Sequence, residues 1–342
     1  MDPFTHALSG AAIARATAPA QPAEGRFSVR ERLLLGGGAA LFPDIDWVIR
    51  LFADDLTYLN FHRGVTHSIL MLPLWALLLG WLAARFWRGR RDWREAAFII
   101  GLGIGIHIAG DFITNYGTHL FAPLVWYPLA FPSTFIIDPW ITLTLLVGVL
   151  LAWRWDSRLA ARLGLGLAVS LVLFQGVMKL HALKLAESQA ALRPQSPVSA
   201  HAMPQPVSPL HWRLILETET GHLEAHLGFL RGRSQGPEAD AGVLRRHWQS
   251  FRPPSALEWQ WYPRFGKDLE FTLQAWKQPE FEGFREFAGL PYFWGERVID
   301  GDRCAVFTDL RFRIEGLDRT PFRFAMCQRP DGAWYRKRIG PW

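Results

Sequence analysis

An uninterrupted apolar run over residues 101–118, GLGIGIHIAGDFITNYGT, carries His107 and Asp111, and no other feature restricts so strongly what this chain can fold into. The run is membrane-length, and a carboxylate near mid-bilayer costs about 2.5 to 3.5 kcal/mol even on the lenient insertion scale. Such a residue must face the interior of a helical bundle and find a partner there. On a helix the four-residue spacing puts His107 and Asp111 on one face, about 40° apart, and Thr114 extends that stripe by a turn. The pair either hydrogen-bonds two helices together or binds a metal ion. The second reading gains because the N-terminal half supplies several more side chains of the same chemistry.

A chain of 342 residues is long enough for two domains, and its halves differ in composition. Before about residue 189 Leu, Ala, Gly and Ile form long uncharged runs; after about residue 204 charges mix with aromatics. This predicts an α-helical integral membrane domain over residues 1–188, a bundle with short re-entrant or half-spanning helices. A stiff Pro-rich linker follows over 189–209, with five prolines between 190 and 209, then a soluble extracytoplasmic α+β domain over 210–342. The net charge of +6 could point to nucleic acid, but the basic residues of the first half gather at the ends of apolar runs, as cytoplasmic loops do. The charge therefore reads as topology, and no nucleic-acid partner is expected. Residues 1–20 lack the basic start of a cleavable signal and their apolar run carries His6, so the first domain is expected to be its own anchor.

Along the chain, Asp2 and Pro3 open a short apolar helix as a cap and a first-turn proline, which leaves His6 without a structural explanation. The run 33–42 contains Gly36, Gly37 and Gly38, which let a neighbouring backbone approach. Pro43 ends it, and Asp44 and Asp46 follow. In an extended segment the two carboxylates point to the same side; in a helical one they diverge, and one would support an ion without touching it. Asp54 and Asp55 read as solvated. Next comes His62-Arg63-Gly64-Val65-Thr66-His67-Ser68, leading into a span over 69–87. Five-residue spacing does not stack two imidazoles on one helical face, so His62 is placed in the loop and His67 at the helix mouth, converging on one ion.

Arg85, Arg88, Arg90, Arg91 and Arg94 mark the next turn as cytoplasmic, so the span 96–113 runs outward. The loop 115–133 has no Lys or Arg, and Trp126 and Tyr127 suit the outer interface. Asp138 reads as the cap of a span over 135–153. Arg154, Arg158 and Arg162 mark the inner side again, and 163–183 crosses outward. The second domain is then expected outside, with a hairpin at Thr220-Gly221 and a C-terminal meander turning at Asp300-Gly301-Asp302 and Pro330-Asp331-Gly332. His222 and His226 have no accompanying carboxylate motif and are not expected to bind metal. Cys304 and Cys327 would lie in an oxidising compartment, but a simple hairpin at Gly316 sets them about four residues out of register, which argues against a disulfide.

With Asp2-Pro3-Phe4-Thr5-His6, Pro43-Asp44-Ile45-Asp46, the His62 to Ser68 stretch, and His107 to Asp111 followed by Tyr116-Gly117-Thr118, residues 1–150 resemble the bacterial membrane-bound metal-dependent hydrolase family, the YdjM-like family. More remotely, the order of His6, Asp46, His62, His107 and Asp111 is similar to that in the zinc-dependent phospholipase C and single-strand nuclease superfamily. Those enzymes also use an N-terminal Trp and a second His-x-x-x-Asp/Glu, where this chain offers Met1 and at most His119. The resemblance implies a multi-pass protein of the bacterial inner membrane with one or two divalent ions, zinc foremost, held by His6, Asp46, His62, His67, His107 and Asp111. Imidazoles and carboxylates without thiolates suit zinc, with manganese or iron as alternatives, and leave a position for water. Asp44 is a candidate base, Arg63 a clamp for a phosphoryl group, and Thr114 completes the catalytic set. A site at the outer bilayer surface meets lipids first, so the expected substrate is a phosphoester of a lipid or lipid-linked compound. The rival readings are a metal-binding transporter or sensor using the same ligands, and a non-catalytic membrane anchor for the C-terminal domain.

Overall fold

The computed structural model describes residues 1–19, 25–87, 91–193, 197–230, 242–314 and 320–340. The chain divides into two compact units, residues 1–54 with 61–177, and residues 55–60 with 178–342. Arg88 and Arg90 of the expected inner turn, and Gly316, lie outside the described residues.

The first unit is helical. It holds α1 (Pro3–Ala16), α2 (Val29–Ala39) and a 3-10 helix, Pro43–Leu51. After α3 (Asp55–Phe61), whose residues 55–60 cluster with the second unit, come a 3-10 turn (Val65–His67), α4 (Leu72–Phe86), α5 (Trp93–Phe112), α6 (Pro139–Arg154) and the first half of α7 (Arg158–Ala191). Polar side chains fix the helix starts. Asp2 accepts from Thr5 N at 3.0 Å with Pro3 in the first turn, Ser28 and Glu31 form a capping box, and Asp92 and Asp138 cap α5 and α6. Asp138 also accepts from Gln175 at 2.7 Å, so its carboxylate serves the cap and an inter-helix bond.

Small residues set how the helices meet. A Cβ on Gly10 would lie 2.2 Å from the carbonyl oxygen of Gly36, and one on Gly148 would lie 2.9 Å from Cα of Gly164. Thus α1 meets α2, and α6 meets α7, at backbone distance. Of the glycine triplet, Gly36 and Gly37 face α1, whereas nothing lies within 4 Å of a Cβ on Gly38. Helix α5 packs against α1, α2 and α4 and buries one side along Ile100, Ile104, His107, Ile108 and Asp111. Among the described residues α5 and α7 are long and apolar enough to cross a membrane, and the broken pair Asp55–His67 and Leu72–Phe86 would make a third span. Helix α6, expected to span, is a shorter apolar helix of 16 residues, because Asp138 and Pro139 fix its start and Trp155 its end.

The second unit contains two four-stranded antiparallel sheets with α8 (Val243–Gln249), α9 (Leu269–Lys277) and α10 (Glu282–Phe287). One sheet runs β1 (Ser199–Pro204), β2 (His211–Glu217), β3 (Gly221–Gly228), β4 (Gln260–Pro263); the other runs β5 (Pro291–Ile299), β6 (Asp302–Asp309), β7 (Arg323–Gln328), β8 (Trp334–Ile339), each in chain order. Trp212, Leu214, Leu216 and Leu227 of the first sheet bury themselves with Ala182 and Ala186 of α7. Phe307 and Phe324 of the second pack under Phe281 and Phe284.

Two expectations are corrected here. The Pro-rich linker over 189–209 is not a linker throughout: α7 continues to Ala191, and Ser199–Pro204 is an edge strand paired with β2. Pro204 ends that strand and Pro206 and Pro209 lie in the following turn, positions where a missing N–H interrupts no ladder. Cys304 and Cys327 are directly opposite across β6 and β7 and form a disulfide, so the expected slip of register does not occur. His222, on β3, donates from Nε2 to the Pro291 carbonyl at 2.8 Å, which accounts for it without a metal.

Candidate metal centre

Helix α5 presents His107 and Asp111 one turn apart, both essentially inaccessible. Where α2 ends, the carbonyl of Ala40 accepts from His107 Nδ1 at 2.6 Å, so the lone pair of His107 Nε2 faces inward. His67 closes the 3-10 turn Val65–His67; its Nδ1 lies 3.1 Å from Thr66 Oγ1 and 3.5 Å from Asp46 Oδ2. His67 Nε2 therefore also turns inward, 3.0 Å from His107 Nε2. Asp44 Oδ1 stands 3.6 Å from each of these two nitrogens, and Asp111 Oδ2 stands 3.3 and 3.4 Å from them. One ligand atom from each of Asp44, His67, His107 and Asp111 falls within 4.8 Å of every other. With both Nδ1 atoms donating elsewhere, the Nε2 lone pairs of the neutral rings and two carboxylate oxygens converge on one point. Such a set of donors repels itself and could hold a divalent cation.

The surrounding residues hold these four in place. His6 stacks on His107 with ring centroids 3.7 Å apart, and its Nε2 lies 3.1 Å from Asp111 Oδ1. The Met1 α-amino group also forms an ion pair with Asp111. Arg63 Nε lies 2.9 Å from Asp111 Oδ2, while its Nη1 donates to the Asp111 carbonyl at 3.2 Å and to Thr114 Oγ1 at 2.9 Å. Thr114 in turn donates to that same carbonyl at 2.9 Å. Arg63 takes a left-handed backbone conformation with φ of 61°, which turns its own N–H onto Asp46 Oδ2 at 2.9 Å. Asp46 Oδ1 accepts from His62 Nδ1 at 2.8 Å.

The expected ligand set is thus brought to one place but divided by role. His67, His107 and Asp111 converge; His6, Asp46 and His62 support them from around; and Asp44, expected as a base, joins the converging group. The reason lies in residues 43–51, which wind as a 3-10 helix. Winding separates the two carboxylates, sending Asp44 toward the imidazoles and Asp46 toward His62 and Arg63. Arg63, expected to clamp a phosphoryl group, is buried and engaged with Asp111 and Thr114. Asp44 stands at the more open edge, its side chain 29% exposed, with Oδ1 toward His67 and His107. The Ala40 carbonyl and the Thr66 hydroxyl were not legible as site groups: a backbone acceptor carries no sequence signal, and one Thr among many carries little.

Residues 1–182 match the YdjM inner membrane protein family. Among curated proteins, the uncharacterized protein YfhP of Bacillus subtilis strain 168 is 28% identical over 163 residues, 46% of this chain and 48% of that protein. The chain spans about half the length of this curated relative. No solved structure matches. The family match covers more than half of the chain and takes in all four converging residues together with every residue that supports them, so the chain belongs to the YdjM inner membrane protein family.

Proposed function

We propose that the protein is a metal-dependent hydrolase of the inner membrane that cleaves a phosphoester of a lipid or lipid-linked substrate at the outer face. The observation that carries this reading is the convergence of Asp44, His67, His107 and Asp111, with their ligand atoms within 4.8 Å, at the end of an apolar helix. The donor set suits zinc, with manganese or iron as alternatives; Asp44, His67, His107 and Asp111 would hold such an ion, which would supply Lewis acidity and activate water near neutral pH. Arg63 and Thr114 fix Asp111 from behind. Asp44 supplies one of the four converging ligand atoms, so it is assigned to holding the ion rather than to accepting a proton. His62, oriented by Asp46 and with its side chain 17% exposed, is assigned the proton transfer to the leaving oxygen. Arg85, Arg91 and Arg94 flank the start of α5, while residues 115–133 after it contain no Lys or Arg, which supports an outward site.

The test is elemental analysis together with hydrolysis of phosphatidic acid and phosphatidylglycerol by the purified full chain. Asp44→Asn and His107→Ala are expected to lose metal and activity in parallel. A wild-type protein that binds no divalent ion ends the reading in favour of the anchor, and bound metal with ion flux across vesicles but no hydrolysis replaces it with a transporter.

A further inference from the structure

A cavity of about 210 Å³ lies between α1, α5, α6 and α7, larger than the roughly 150 Å³ apolar void that suffices to take up benzene. Apart from His6 and Ser9, its lining side chains are hydrocarbon, thioether or hydrogen. The Ser9 hydroxyl is used, donating to the His6 carbonyl at 2.8 Å. His6 is different. Its Nε2 faces the Asp111 carboxylate at 3.1 Å and so carries the proton, which leaves Nδ1 as an acceptor. That Nδ1 is buried and has no hydrogen-bond partner among the described residues. It faces the cavity: a Cβ on Gly110, itself a lining residue, would lie 3.5 Å from it. The opposite rim is apolar and open, with Ala109 exposed on α5 and Val169 and Leu173 exposed on α7.

An apolar cleft that is open between α5 and α7 and ends on a single unpaired acceptor has the shape and polarity of an alkyl chain with a donor at its head. An unpaired buried acceptor costs about 1 to 3 kcal/mol, which such a head group would relieve. We propose that this cavity binds the alkyl chain of a lipid alcohol, its hydroxyl donating to His6 Nδ1. The inference deepens the hydrolase reading and rests on it in one respect: hydrolysis joins the water oxygen to phosphorus, breaks the phosphorus–oxygen bond to the lipid and leaves the lipid oxygen protonated. A lipid alcohol is therefore the product released one imidazole away from the metal ligands.

The experiment uses the full chain in nanodiscs of phosphatidylethanolamine and phosphatidylglycerol. The probe is hexadecanol carrying a mid-chain diazirine, compared with its methyl ether, which lacks the donor. Light-driven labelling should saturate and map to residues 106–113 and 165–173. The ether should label about tenfold less, the equivalent of about 1.4 kcal/mol. Ala109→Trp should abolish the labelling while metal content stays at the wild-type level, and Val169→Trp on the facing helix serves if that variant does not fold. Labelling that never saturates, that spreads equally to exposed Leu77 of α4, or that is the same for alcohol and ether overturns the proposal. Metal content and phosphoester hydrolysis are read on the same samples. Saturable labelling without hydrolysis keeps the lipid-alcohol site and removes the enzyme, whereas hydrolysis without saturable labelling does the reverse.

Discussion

Asp44 and Asp46 are two residues apart, yet one faces the centre and the other supports it, and this difference can be measured. Asp46 touches His62, the Arg63 N–H and the region of His67 Nδ1 but is not among the converging ligands, so Asp46→Asn should weaken metal affinity by about 10- to 100-fold while leaving a site that fills at high metal. Asp44→Asn should prevent filling; competition against a chromophoric chelator separates the two, and identical behaviour refutes the division of roles. The sequence showed which residue types gather here but not which carboxylate is which, because that depended on whether residues 43–51 wind or extend. In the second unit, Glu217 is held down at about 2 by His201 and by Ser199, below its unfolded value of about 4.5. Burial likewise pushes His222 below 6.5. For Glu217 the folded form binds the proton less readily, so its stabilisation is present above about pH 4.5 and is lost as pH falls toward 2. For His222 the unfolded chain takes up the proton first, so stability is lost as pH falls below 6.5. Denaturation of the full chain followed by tryptophan fluorescence should show stability falling from pH 7 downward, and Glu217→Gln should flatten the part between pH 4.5 and 2.

At the scale of elements, small residues decide the packing of the helices more than helix propensity does. Gly10 and Gly36 leave no room for a methyl group, since a Cβ on either would come within 2.4 Å of the other's carbonyl oxygen. Gly10→Ala should therefore lower stability by about 1 to 3 kcal/mol through overpacking. A Cβ on Gly166 meets nothing within 4 Å, so Gly166→Ala should be neutral or raise stability by up to about 1 kcal/mol. Thermal melting of the full chain compares the two, and equal effects would show that propensity governs. The helices were legible from apolar runs and their polar starts, and the close approach from the glycine triplet, although Gly38 takes no part in it. Strand β1 was not legible, because a segment with prolines at its end and beyond reads as linker until β2 is there to pair with it. The cross-strand position of Cys304 and Cys327 was missed for a related reason: register is fixed by side-chain packing on both faces of β6 and β7, which a turn position alone does not specify.

At the scale of the whole molecule, the distribution of charge predicts the side of the membrane on which the candidate centre lies. Arg85, Arg91 and Arg94 precede or open α5, and Arg154, Arg158 and Arg162 surround the junction of α6 and α7; the positive-inside rule predicts that both junctions are cytoplasmic. On that prediction α5 runs outward to Asp111 and the first half of α7 runs outward as well. The disulfide between Cys304 and Cys327 is a separate argument for the same side, because such bonds persist in oxidising compartments and are rare in the cytosol. An alkaline phosphatase reporter, active only outside, should be silent when fused at Arg91 and active when fused at the C-terminus; a reporter active only in the cytosol should give the opposite pattern. A membrane-impermeant thiol reagent applied to intact spheroplasts should label Cys304 and Cys327 only after reduction. Should the two fusions give the same signal, the orientation fails and the outer-leaflet substrate fails with it, while the four converging ligands, which do not depend on orientation, would still call for a metal.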